Sequence, residues 1–118
     1  MKSLNSLAVG LVMLVLASPV FAADAAGSIT ITSPANGAVL STGSGNKLEF
    51  NLHLSPNGNH VHVYVDDQHP LVDRDIQNCP CSIDLPNLSS GKHTITVKEA
   101  TVSHALTGVE GVTTVTVK

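Results

Sequence analysis

The sequence predicts an all-β fold, a two-sheet antiparallel sandwich of about seven strands. β-Branched residues recur in short runs with a period of two, the alternation expected when one face of a strand is buried. Gly, Pro, Asn and Ser bound each run and mark the turns. No segment has the periodicity of a helix longer than one turn, residues 102–106 being the best candidate. Runs repeated at intervals of about 8 to 12 residues are typical of a sandwich.

The first 22 residues have the three parts of a secretory signal peptide. Lys2 supplies the positive charge, residues 7–16 form an apolar core, and Ala22 ends a small-x-small cleavage signal. An apolar run of ten residues is shorter than the roughly 20 needed to span a bilayer, and no comparable run follows. We therefore predict a mature domain of residues 23–118, periplasmic or secreted, with no transmembrane segment.

The first strands follow from alternation and turn residues. Residues 29–32 alternate, the Pro and Gly of residues 33–37 form a turn, and a short strand is expected at residues 38–41. In residues 47–55 the apolar side chains share one face, which predicts one buried and one solvated face. The predicted buried set is Leu48, Phe50, Leu52 and Leu54.

The next strand has the cleanest alternation in the chain. After a turn at residues 56–59, Val61, Val63 and Val65 are predicted to point into the core. The residues predicted to point outward, the first three of them exposed, are His60, His62, Tyr64 and Asp66. The remaining predicted strands are an edge strand at Leu71 and Val72 and segments at residues 82–85, 93–98 and 112–118.

Three segments resemble the turn and strand patterns of small bacterial immunoglobulin-like domains of secreted and periplasmic proteins. They are ITSPANG at residues 31–37, HVHVYVD at residues 60–66 and LSSGKHTITV at residues 88–97. The resemblance covers nearly the whole mature chain and implies an immunoglobulin-like antiparallel sandwich. It also implies a non-enzymatic spacer, adhesion module or ligand binder. The chain lacks the Trp and the widely spaced Cys pair of antibody-type domains, so no inter-sheet disulfide is expected.

The composition argues against several partners. Tryptophan is absent and the chain has one Tyr and two Phe, so aromatic platforms for sugars or single-stranded nucleic acid are not expected. The net charge of −3 argues against a nucleic-acid partner. Six His and two Cys among few charged residues leave metal chemistry open.

His60 and His62 form the first candidate metal site. At i and i+2 on a strand, their Cα atoms lie about 6.5 to 7 Å apart on one face, so two imidazoles can converge on one ion. His53 is the candidate third ligand if the two strands form a direct hairpin, although an immunoglobulin topology usually separates them; Tyr64 or Asp66 could serve instead. The competing interpretation is that these histidines only cover a solvated sheet face.

Cys79 and Cys81 form the second candidate metal site, with His69 nearby. A disulfide across one residue is badly strained, so we expect no strain-free bond between them. Two thiols, a soft-metal pair with His69, or a bond to another chain are the alternatives. In the structural interpretation, Cys81 packs inward while Cys79 is incidental or oxidised.

The remaining polar residues are predicted to be structural. His93 and His104 are single residues near strand ends, and the aspartates of residues 66–75 lack the spacing of a calcium loop. No nucleophile elbow, P-loop or His-Glu-x-x-His motif occurs. We therefore predict a non-enzymatic binding module with copper or zinc as its ligand. The alternative is a structural or adhesion module that contacts a cell-envelope protein or a polysaccharide.

Overall fold

The computed structural model describes residues 27–118, so the predicted signal peptide at residues 1–22 lies outside the described part. Within residues 27–118 eight strands form, close to the expected number of about seven. They are β1 (Ser28–Ser33), β2 (Val39–Leu40), β3 (Lys47–His53), β4 (His60–Val65), β5 (Leu71–Asp73), β6 (Cys81–Asp84), β7 (Gly91–Ala100) and β8 (Leu106–Val117).

The strands form the two sheets of a sandwich. One sheet has the order β1-β3-β6 and the other the order β2-β8-β7-β4-β5. All strand pairs are antiparallel except β2 and β8, which are parallel. β3 and β4 follow each other in the chain but belong to opposite sheets, so the segment between them crosses from one layer to the other. Within residues 27–118 the structure has no helix long and apolar enough to cross a membrane.

The core lies between the inner faces of the two sheets. Leu48, Phe50 and the three valines of β4 are buried, as the alternation predicts. The prediction for Leu54 is wrong: this side chain is 42% exposed because β3 ends at His53 and the chain turns there. The buried apolar side chains are Ile29, Leu48, Phe50, Val61, Val63, Val65, Ile76, Cys81, Leu85, Leu88, Ile95, Val97, Ala100, Val115 and Val117.

A buried carboxylate ties the β3–β4 connection to the larger sheet. Glu99 on β7 is fully buried, and it accepts hydrogen bonds from the backbone N–H of Ser55 at 2.8 Å and from Thr107 Oγ1 at 2.7 Å. The Ser55 hydroxyl also donates to it. Burial pushes the pKa of Glu99 upward, but these hydrogen bonds outweigh burial and hold the pKa below its ordinary value. Glu99 is therefore an ionised core carboxylate whose partners lie in the β3–β4 connection and at the start of β8.

β4 lies between β5 and β7, and this position changes the environment of its outward residues. The valines face the core and the histidines face the opposite side, as predicted, but His60 and His62 are 0% and 7% exposed. The prediction that they are solvated is therefore wrong. The hairpin that joins β7 to β8 folds back over this end of the sheet and covers both rings. Tyr64, which was also predicted to be exposed, is half-buried, whereas His53 is exposed as expected.

The tip of the β7–β8 hairpin is the segment that covers His60 and His62. Its last ladder pair is Ala100 with Leu106, and residues 101–105 form the tip where a helical turn was the best candidate. In the tip, the backbone N–H of Thr101 donates to Ala105 O at 2.8 Å and the backbone N–H of His104 donates to Thr101 O at 2.9 Å. These bonds hold the tip as a compact turn.

Candidate metal centre

Three imidazole rings converge on the outer face of the larger sheet. His60 Nε2 lies 3.0 Å from His62 Nε2 and 3.2 Å from His104 Nδ1. His62 Nε2 is also 3.2 Å from His104 Nδ1. Among the described residues these three form a group able to hold a metal ion, and we call it the three-histidine cluster. Two rings come from β4 and the third from the β7–β8 hairpin tip.

The strand places the first two rings. His60 and His62 are two residues apart on β4 and therefore project from the same face. Their partners on β7 are Ala100 and Lys98, respectively. The methyl group of Ala100 takes up little of the space beside His60, and the hairpin tip that follows Ala100 lies close to that ring. The antiparallel pairing of β4 with β7 thus brings the start of β4 beside the end of β7.

The third ring is placed by an unusual backbone conformation. His104 has φ 70°, in the left-handed region, where Asn, Asp and His occur more often than most other residues. The Thr101 hydroxyl accepts a hydrogen bond from the backbone N–H of Ala105 at 3.2 Å and supports this turn. The conformation directs the ring of His104 back over β4 instead of along the hairpin. A left-handed residue held at a cluster of this kind is a feature of functional sites.

Outer partners orient the two buried rings. The Nδ1–H of His60 donates to Asn59 Oδ1 at 2.9 Å, because an amide oxygen only accepts. His62 Nδ1 lies 3.4 Å from the Tyr64 hydroxyl, a longer and weaker contact. Asn59 thus directs the Nε2 lone pair of His60 toward the centre of the cluster, and His62 does the same in the tautomer in which its Nδ1–H donates to the Tyr64 hydroxyl. Metal-bound histidines are held by outer hydrogen bonds of this kind.

The spacing of the three nitrogens suits a small transition-metal ion. An ion bonded to each nitrogen at about 2.05 Å would have N–metal–N angles of about 94° to 103° at the separations given above. These angles lie between the roughly 90° of an octahedral site and the roughly 109° of a tetrahedral site. The three rings would cap one side of the ion and leave the other side free.

Electrostatics keep the buried rings neutral. Burial lowers the pKa of His60, and the charges of Arg74, His104 and His62 lower it further. Burial also lowers the pKa of His62, with added effects of His104 and Arg74. Neutral imidazole is the form that binds a metal. Arg74 Nη2 lies 3.4 Å from His104 Nε2, so a guanidinium stands on the outer side of the third ring.

The structure does not bring the predicted third ligands into the cluster. His53 is on β3, in the other sheet, and its side chain is exposed. Tyr64 contacts the outer nitrogen of His62 and not the converging one. Asp66 is engaged elsewhere: His93 Nδ1 donates to Asp66 Oδ2 at 2.6 Å, and the backbone N–H of Thr94 donates to Oδ1 at 2.9 Å.

The structure joins the two cysteines of the second candidate site to each other. A disulfide joins Cys79 to Cys81, whose Cα atoms are 4.1 Å apart, and no cysteine within residues 27–118 is free. The two sulfurs are bonded to each other because the turn before β6 brings them together, so neither offers the thiolate that a soft metal needs. His69 is exposed in the β4–β5 connection and belongs to no metal-binding group among the described residues. Cys81 is buried, as the structural interpretation expected.

His104 is the residue that sequence reasoning assigned to a structural role. It lies 42 residues after His62, and no local motif links the two. The signal that could have found it is topological. If the strands at residues 91–100 and 106–117 form a hairpin and the first pairs antiparallel with β4, the hairpin tip must lie beside His60. A histidine in that tip is then a neighbour of His60.

Comparison with known proteins agrees with the observed architecture. Residues 28–97 match the model of the bacterial Ig domain family. No curated protein matches the chain. A fibronectin(III)-like module of CbhA from Clostridium thermocellum superposes with a TM-score of 0.61 at 20% identity, covering 76% of this chain and 94% of that one. An engineered protein superposes with a TM-score of 0.55 at 16% identity, covering 91% of this chain and 21% of that one.

The two kinds of likeness have different weight. At 20% and 16% identity the solved structures are similar in fold alone. The family match covers more than half of the chain and extends from β1 into β7, including His60 and His62 but not His104. The sandwich and the matched residues lead to one conclusion: this chain belongs to the bacterial Ig domain family.

Proposed function

We propose that this bacterial Ig domain is an exported, non-enzymatic module that binds one transition-metal ion, zinc or copper, through His60, His62 and His104. The observation that carries the proposal is the set of three ring nitrogens within 3.0 to 3.2 Å of one another. Export is supported by the predicted signal peptide and by a disulfide of the kind that persists in oxidising compartments.

The hydrogen bonds inside the cluster depend on the tautomers of its rings, whereas a metal ion would satisfy all three converging nitrogens at once. Without an ion, the Nδ1–H of His104 can donate to both Nε2 atoms, while its own Nε2 accepts from Arg74. If His60 and His62 both carry their proton on Nδ1, that arrangement leaves their two Nε2 lone pairs facing each other at 3.0 Å. A cation at the centre removes this repulsion and satisfies all three nitrogens.

The donor set selects the class of metal. Imidazole suits zinc and copper, whereas calcium and magnesium take oxygen ligands. Zinc imposes no geometry of its own, so it accepts the angles that the three nitrogens provide. Cu²⁺ binds a given set of nitrogen ligands more tightly than zinc does. Both ions therefore belong in the test, with calcium as the negative comparison.

The test removes the ligand that the fold needs least. His104 is exposed in a hairpin tip, and asparagine tolerates a left-handed backbone, so His104→Asn is expected to keep the fold. We expect the purified wild-type protein to bind one Zn²⁺ with micromolar or tighter affinity by isothermal titration calorimetry. In His104→Asn the loss of zinc affinity should exceed the roughly 10- to 100-fold loss that follows removal of an outer hydrogen-bond partner of a ligand.

The matched control is His53→Ala, which removes an exposed histidine from the opposite sheet. It should bind metal as the wild type does. Equal affinity in wild type and His104→Asn, with both proteins folded by circular dichroism, would refute the cluster as the site. A folded wild type that binds no ion would leave the structural or adhesion role, in contact with a cell-envelope protein or a polysaccharide, as the function.

A further inference from the structure

The three rings of the cluster differ in their outer partners. His60 has the acceptor Asn59 Oδ1 and His62 has the Tyr64 hydroxyl. His104 has Arg74, whose guanidinium can only donate. A histidine that binds a metal normally donates its other ring N–H to a carboxylate, a carbonyl or water. The outer partner of His104 is therefore of the wrong kind for a metal-loaded site.

Metal binding would change the role of His104 Nε2. A neutral imidazole that binds a metal through Nδ1 carries its proton on Nε2, so Nε2 changes from acceptor to donor. It can then no longer accept from Arg74 Nη2, which lies 3.4 Å away. Two donors, one of them fully charged, would face the same space at the surface. That pair is suited to an acceptor with negative charge.

The charges near the cluster add to this argument. The ligands are three imidazoles, and no carboxylate among the described residues belongs to the metal-binding group. The ion pairs within residues 27–118 are Lys47–Asp84, His93–Asp66 and Lys98–Glu110, and none includes Arg74. A divalent ion would add two positive charges beside the exposed guanidinium of Arg74, which forms no ion pair within residues 27–118 although Asp73 and Asp75 flank it in the chain. An anion would neutralise part of that charge.

We propose that the metal-loaded domain binds a carboxylate between the guanidinium of Arg74 and the Nε2–H of His104. The inference rests on the proposed metal site, and it names the ligand that the loaded site recruits. A carboxylate has two oxygens, so one can accept from each donor, and hydrogen bonds between ionised groups are the strong ones. Binding of the metal and of the carboxylate must then favour each other by the same factor.

The test measures zinc affinity with and without acetate. Calorimetric titrations of the purified protein are run at one ionic strength, because salt screens an exposed site. Perchlorate replaces acetate in the titrations without acetate. We expect acetate to tighten zinc binding by about fivefold to tenfold. Acetate also competes weakly for free zinc, which alone would weaken the apparent affinity. A tightening therefore cannot come from acetate in solution.

The control variant is Arg74→Gln. It removes the charge at the outer ring and should bind zinc at least as tightly as wild type in perchlorate, while acetate no longer tightens binding. If acetate tightens zinc binding equally in wild type and Arg74→Gln, the anion binds the metal directly and the proposal is wrong. If wild type binds zinc with the same affinity in both salts, this inference fails while the metal site stands. A wild type that binds no zinc refutes the metal site itself.

A second arm distinguishes a small carboxylate from one on a polypeptide. Acetate is replaced by a short peptide with blocked ends and a single Glu side chain. If the peptide tightens zinc binding at a lower concentration than acetate does, the ligand is a protein carboxylate. If the peptide and acetate tighten zinc binding at equal concentrations, the ligand is a small carboxylate. If neither acetate nor the peptide changes the zinc affinity, the proposal is wrong.

Discussion

His104 Nδ1 lies 3.2 Å from His62 Nε2, although 42 residues separate them in the chain. The contact joins the β7–β8 hairpin tip to the middle of a buried strand. It depends on two ladders, β4 with β7 and β7 with β8, and on the left-handed backbone of His104. All three ligands of the candidate metal centre therefore come from the larger sheet and its β7–β8 hairpin.

Zinc binding should weaken as pH falls from 7 to 5. His60 and His62 must be neutral to bind an ion, and burial lowers the pKa of both below the ordinary value of 6.5. Because these pKa values are lowered, protons compete little near pH 7 and compete increasingly as pH falls through the lowered values. We expect the apparent zinc affinity to be weaker at pH 5 than at pH 7, measured by calorimetry. Constant affinity would point to carboxylate ligands instead.

Asn59→Ala should weaken zinc binding without unfolding the domain. Asn59 Oδ1 accepts the Nδ1–H of His60 and so orients the ring and its lone pair. Loss of an outer partner of this kind typically costs about tenfold or more in metal affinity. The control is Asn57→Ala, an exposed residue in the same connection. An equal effect of the two substitutions would mean that Asn59 has no orienting role.

His93→Gln should destabilise the domain most in mild acid. The hydrogen bond to Asp66, together with the contact of His93 Nε2 with Ser89 O at 2.8 Å, raises the pKa of His93. Its contribution to stability is therefore full below about pH 6.5 and is lost as pH rises through the raised pKa. Burial raises the pKa of Asp66, but the hydrogen bonds from His93 and Thr94 outweigh burial and lower it, so its contribution is lost only as pH falls through that lowered pKa.

The measurement is urea unfolding of wild type and His93→Gln at about pH 5.5 and about pH 8.5, two values on either side of the ordinary histidine pKa. The side chain of Asp66 is 38% exposed, so solvent screens the pair and we expect a difference of about 0.5 to 1 kcal/mol at the lower pH. The difference should shrink at the higher pH. A larger loss of unfolding free energy in His93→Gln at the higher pH would contradict the positive charge assigned to His93.

Glu99→Ala should be among the most destabilising substitutions in the domain. It leaves the groups of Ser55 and Thr107 without their acceptor in a buried environment, at a cost of about 2 to 4 kcal/mol. Glu110→Ala on β8 is the control, because within residues 27–118 its one ion pair is a loose contact with Lys98 at 3.9 Å. Urea unfolding should show a small change for Glu110→Ala and a large one for Glu99→Ala. Equal changes would mean that Glu99 is not a structural anchor.

The local pattern of the sequence determined the strands and their faces. In β4 each step reverses the side-chain direction, so Val61 and Val63 had to share the face opposite His62 whatever the strand paired with. The same rule placed Leu48 and Phe50 in the core. Turn residues bounded the strands, and the resemblance of three segments indicated the family. These features depend on neighbours in the chain, so they can be inferred from it.

The burial of His60 and the third ligand were decided by the tertiary structure alone. The solvent exposure of the outward face of a strand depends on which segment packs over it. Here the hairpin tip that carries His104 covers that face. The assignment of β3 and β4 to opposite sheets removed His53 from the cluster, and the turn before β6 joined Cys79 to Cys81. Alternation specifies the direction of a side chain but not which distant segment packs against it. That choice depends on strand pairing over tens of residues, which no local period encodes.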